Sequence, residues 1–126
     1  MLSNESQGKV EKSRKIRKIP SSVEFIDSEA FADAGLTHIE ISNVRSIGSA
    51  AFGGCQSLAS VTLSASLYFI GEYTFAMCQS LTKVEIPNSV SSIGAGAFQD
   101  CGIIEIVVPD NVRFIGEGAF RGCQNL

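Results

Sequence analysis

Ile93-Gly-Ala-Gly-Ala-Phe-Gln-Asp-Cys101 returns, with conservative changes, as Ile47-Gly-Ser-Ala-Ala-Phe-Gly-Gly-Cys55, Ile70-Gly-Glu-Tyr-Thr-Phe-Ala-Met-Cys78 and Ile115-Gly-Glu-Gly-Ala-Phe-Arg-Gly-Cys123. A more divergent copy, Ile26-Asp-Ser-Glu-Ala-Phe-Ala-Asp-Ala34, precedes them. The phenylalanines set the register: Phe31, Phe52, Phe75, Phe98 and Phe120 are separated by 21, 23, 23 and 22 residues, and an isoleucine stands five residues before each. Self-similarity at such a period is the mark of a solenoid, in which no unit buries its apolar face alone and neighbours complete one core.

Outward from that phrase, each unit has three parts. Leu81-Thr-Lys-Val84-Glu-Ile86 alternates apolar and polar residues, which predicts a short strand buried on one face, with equivalents at 36–41, 58–63 and 103–108. Pro87 and Pro109 close their strands, as Pro20 does earlier, because proline cannot donate to a ladder. Residues 90–93, with relatives at 23–26, 67–70 and 112–115, predict a second extended piece and a minor sheet. Gly48, Gly71, Gly94 and Gly116 follow at one fixed point, where positive φ is expected, with Asp27 in the same column. Residues 116–123 are too short for a long helix and predict one helical or 3-10 turn per unit, kept small by Ala30, Ala51, Thr74, Ala97 and Ala119.

Residues 1–18 are polar, charged and without periodicity, which predicts a basic flexible leader or partial N-terminal cap. Residues 19–126 then hold about five repeats, the last incomplete at Cys123-Gln-Asn-Leu126. An apolar fraction of 44% is ample for a sizeable core.

The phrases 93–101 and Cys78-Gln-Ser-Leu-Thr-Lys-Val-Glu-Ile-Pro87 closely resemble the BspA-like, or Treponema-type, class of leucine-rich repeats, across about residues 19–126. The resemblance implies an α/β fold: a right-handed solenoid with one short parallel strand and one 3-10 or helical turn per repeat, and a second, minor sheet. It also implies surface proteins of bacteria and parasitic protists that serve adhesion and protein recognition, and hence a cell-surface or secreted setting. No secretory signal peptide stands in residues 1–18, so the compartment is left open.

Charge narrows the function further. Lys9, Lys12, Arg14, Lys15, Arg17 and Lys18 crowd the N-terminus, while the body from Ile19 onward holds four basic and eleven acidic residues, a net of −7. Nucleic-acid binding by the repeats is not expected, since phosphate contacts need clustered Lys and Arg. No run reaches the ~18 apolar residues of a membrane span.

Four cysteines, Cys55, Cys78, Cys101 and Cys123, fall one per coil, in a row about 4.8 Å apart. Their Cβ vectors then run parallel, unsuited to a disulfide, and a row cannot converge on a tetrahedral metal. Buried free thiols are expected, with Ala34 filling the same column. His38, the single histidine, shares a face with Ser60 and Glu40, but two residues along one strand is roughly 6.6 Å, too far for the orienting bond of a triad. Gly94-Ala-Gly96 and Gly116-Glu-Gly118 lack the third glycine and long helix of a dinucleotide fingerprint, so no cofactor is expected. Phe25, Phe69 and Phe114 form one column read as lateral packing, and Tyr73 as an exposed contact.

A repeat module with no catalytic constellation points to a recognition surface on the main-sheet face: His38, Glu40, Ser60, Thr62, Lys83, Glu85, Glu105 and Val107. The expected partner is a protein, in the surface reading an extracellular-matrix or host-surface one. The competing reading is an intracellular scaffold that docks an acidic partner through the basic leader. An end at Leu126, where another strand is due, predicts a longer array or self-association through that end.

Overall fold

The computed structural model describes residues 15–126, which wind into a parallel β-solenoid of about five coils. The main sheet runs β1 (Ile16–Ile19), β3 (His38–Ile41) and β5 (Ser60–Thr62); the second runs β2 (Phe25–Ile26), β4 (Ser46–Ile47), β6 (Phe69–Ile70), β7 (Ser92–Ile93) and β8 (Phe114–Ile115). All pairings are parallel and in register with the repeat, Ile26 on Ile47 on Ile70 on Ile93 on Ile115. The predicted alternation holds in β3, where Ile39 and Ile41 are buried and His38 and Glu40 exposed.

At the start, β1 pairs with β3 from Ile16 onward, so the main sheet begins three residues before the boundary expected at Ile19. Ile19-Pro20 is the same strand ending as Ile86-Pro87. Lys9, Lys12 and Arg14 lie outside the described residues. In the last two coils the strands predicted at 81–86 and 103–108 are reduced to a single bridge, Lys83 on Glu105. The supposedly minor sheet is thus the more continuous of the two.

Close approach explains that continuity. A Cβ on Gly48, Gly71, Gly94 or Gly116 would meet backbone of the preceding coil at 2.2–2.6 Å. None of these glycines has positive φ, contrary to expectation. They are glycine because only a residue without Cβ lets one coil settle on the last.

The expected helical turn is absent: the described residues contain no helix, and the class is an all-β solenoid rather than α/β. The positive-φ residues stand instead two places before and two places after each phenylalanine: Glu29 and Asp33, Ala50 and Gly54, Tyr73 and Met77, Gly96 and Asp100, Gly118 and Gly122. A helix needs uniformly negative φ. Here Ala32 N–H bonds Glu29 O at 3.1 Å within the turn, while Phe31 N–H crosses to Ala51 O at 2.7 Å. Phe52, Phe75 and Phe98 cross in the same way to Thr74, Ala97 and Ala119. Each segment is therefore a chain of tight turns whose alternate donors bond the next coil, forming a third wall.

Inside these walls lies one apolar cluster. Phe31, Phe52, Phe75 and Phe98 are buried, and each ring stacks on the next, Phe120 closing the series, at centroid distances of 5.3–5.5 Å and interplanar angles of 10° or less. Ala51, Thr74, Ala97 and Ala119 are buried beside them. Cys55, Cys78, Cys101 and Cys123 are buried free thiols, and each Sγ donates to a phenylalanine carbonyl one coil back, Cys55 to Phe31 at 3.1 Å and Cys101 to Phe75 at 2.9 Å.

Candidate functional site

The outer face of the main sheet consists of two rows fixed by strand register. His38 lies beside Ser60 and Glu40 beside Thr62, because Ile39 and Val61 between them point into the core. Lys83 lies beside Glu105, with Glu85 and Val107 following on the same face. All eight of these side chains are exposed, Val107 at 80%. β1 extends both rows with two residues of the expected leader, Ile16 beside His38 and Lys18 beside Glu40.

Charge on this face is mixed and locally compensated. Lys18 Nζ lies 3.9 Å from Glu40 Oε1, and Lys83 Nζ 3.7 Å from Glu105 Oε1. Such exposed pairs contribute about 0–1 kcal/mol and act more on orientation than on stability. His38 Nδ1 is 3.1 Å from Thr37 Oγ1. With His38 on Thr37 and Glu40 on Lys18, the structure does not join His38, Ser60 and Glu40 into a relay.

Between β5 and the strand segment at Lys83 the main-sheet ladder is interrupted. An open groove of about 690 Å³ lies just beyond it, where the last two coils meet, lined by Val84 and Ile86 of one and Ile106 and Val107 of the next and bordered by Lys83, Glu85 and Glu105, with Val61 of β5 at its near end. Alternation alone marked the outward residues. It could not mark the groove, which lies where the ladder between two strands of similar sequence is reduced to one bridge.

Two aromatic expectations have different outcomes. Tyr73 is half-exposed, and its ring covers Gly96, where a Cβ would stand 2.3 Å from Cε1. The Phe25, Phe69 and Phe114 column, read as lateral packing, is on the outside: Phe25 is 46% and Phe114 71% exposed. In each two-residue strand only the isoleucine can face inward, so its neighbour must face out. No helix among the described residues is long and apolar enough to cross a membrane, and no group of three His, Cys, Asp or Glu among them could hold a metal ion.

The profile of the BspA type leucine-rich repeat region matches residues 11–126 in six copies. No curated protein matches the chain. Among solved structures, the leucine-rich repeat protein of T. pallidum is 35% identical with a TM-score of 0.88, covering 91% of this chain and 57% of its own. One from Bacteroides ovatus is 34% identical with a TM-score of 0.84, covering 88% of this chain and 32% of its own. A third, from Bacteroides capillosus, is 27% identical with a TM-score of 0.60, over 83% and 78%. This chain thus spans little more than half of the first relative and a third of the second. The repeats of this family are generally non-catalytic modules that bind proteins. With the repeat profile, the shared coil and two relatives above 30% identity in agreement, the chain belongs to the BspA-type leucine-rich repeat family.

Proposed function

We propose that this chain is a non-catalytic recognition module that binds a protein through the outer face of its main sheet, in adhesion at a cell surface or to host or matrix proteins. The observation that carries this reading is the pair of exposed, registered rows, His38–Ser60 and Glu40–Thr62, running into the groove beside Lys83 and Glu85. Alternating charge signs beside an apolar floor suit a protein surface, where polar groups set orientation and a buried patch supplies affinity.

Size sets the expected strength. Five coils at about 4.8 Å give a face about 20 Å wide and about 15 Å tall, well below the ~800 Å² per partner of a standard interface. Binding by this stretch is weak, and repeated copies raise it through avidity.

The test is capture from extracellular-matrix extract and from cytosolic extract, with wild type, a Thr62→Arg/Glu85→Arg variant and a deletion of residues 1–14. The deletion stops at 14 because Ile16 already pairs with His38. The reading expects a matrix protein retained by the deletion and lost from the double variant. Retention by the double variant with loss on deletion assigns binding to the basic leader and an intracellular scaffold role.

A further inference from the structure

The second sheet carries an exposed row that protein recognition by the main sheet leaves unused. Its outward positions, strand by strand, are Phe25, Ser46, Phe69, Ser92 and Phe114, each paired in register with the next. A phenylalanine therefore stands outward on every second coil, with a serine on the coil between. The end rings are 46% and 71% exposed, Phe69 is half-buried, and Tyr68 beside it is 45% exposed. The stack needs none of this: the core phenylalanines form a separate buried column, and serine serves equally well at two of the five positions.

Spacing and charge together define the ligand. Strands 4.7–4.9 Å apart put successive rings of the row about 10 Å from one another. An extended β-1,4-linked glycan repeats once per disaccharide with a step of that size, presenting the same sugar face at every second residue. Aromatic faces carry a negative quadrupole and attract the weakly positive C–H groups on such a sugar face. The serine hydroxyls between the rings can donate to and accept from sugar hydroxyls. The row has no charge of its own, and at its N-terminal edge Glu24 and Arg45 pair at 3.9 Å. On a repeat body of net charge −7, an uncharged strip suits a neutral chain and disfavours polyanions such as nucleic acid or sulfated glycans.

We propose that the outer face of the second sheet is a binding platform for a neutral β-1,4-linked glycan, with Phe25, Phe69 and Phe114 each stacking on an alternate sugar. Three rings two coils apart reach across about five sugars, so affinity grows with chain length to that point and then levels.

Isothermal titration of the intact chain with cellohexaose, chitohexaose, cellobiose and the α-linked maltohexaose tests this directly. One or both β-linked hexaoses bind, cellobiose binds at least about tenfold more weakly, and maltohexaose does not bind. Phe69→Ser weakens hexaose binding about tenfold, and Lys83→Ala on the main sheet leaves it unchanged. Phe25→Ser, at the other end of the row, serves as the test should Phe69→Ser lower the melting temperature. No binding of either β-linked hexaose, equal binding of maltohexaose, or full affinity in a folded Phe25→Ser overturns the proposal. Absence of glycan binding combined with a protein partner, or self-association, that Phe25→Ser removes assigns the row to that partner instead. Because Lys83→Ala probes the main sheet alone, failure here leaves the protein-recognition reading standing.

Discussion

Cys55, Cys78, Cys101 and Cys123 show how a single side chain serves a stacked fold. A sulfur at this point is small enough for the core, and its proton gives the phenylalanine carbonyl of the preceding coil a second donor; Phe52 O, for example, accepts both Cys55 N–H at 3.2 Å and Cys78 S–H at 3.2 Å. Hydrogen bonding with Cys101 and burial push the Cys78 thiol far above the usual range, and burial pushes Cys123 up. A thiol held neutral when folded but free to ionise near pH 8.5 when unfolded favours folding below that pH and loses this advantage as pH rises above it. Melting temperature is therefore expected to fall between pH 8 and 10, by less in Cys78→Ala than in wild type. In native protein these thiols resist alkylation at pH 8, whereas denatured protein reacts fully, as mass spectrometry can read.

At the level of the element, the glycines mark where coils touch. Gly94→Ala drives a Cβ to 2.6 Å from Glu72 N and 2.7 Å from Gly71 C, and is expected to cost roughly 1–3 kcal/mol as backbone shifts to admit it. Gly35→Ala meets nothing within 4 Å and should stay within about 0.5 kcal/mol, so urea titration of the pair checks the assignment. This is also where sequence reading reached its limit. Columns of Ile, Phe and Cys made the stack, the inward faces and the outward rows legible, because burial selects residue type directly. The third wall was not legible, since positive φ falls on Glu29, Ala50, Tyr73 and Met77 as readily as on Gly96 and Gly118. Backbone hydrogen bonding to the next coil forces that conformation, and side-chain chemistry records it only weakly. The two-residue strands hid Phe25, Phe69 and Phe114 for a related reason: an aromatic residue beside a core isoleucine looks like core until the pleat direction is known.

Across the whole molecule, one apolar cluster runs through the coils with ring stacked on ring, so stability is a sum along the stack rather than a property of one centre. The last coil is the least covered, with Ile115 at 50% exposure and Leu126 at 52%. The continuous aromatic column is the central claim, and urea unfolding of Phe75→Ala beside Lys83→Ala tests it most directly. Removing the buried Phe75 ring, stacked between Phe52 and Phe98, should cost roughly 3–5 kcal/mol. Truncating exposed Lys83 should change stability by no more than about 0.5 kcal/mol. Equal losses from the two substitutions would contradict the account.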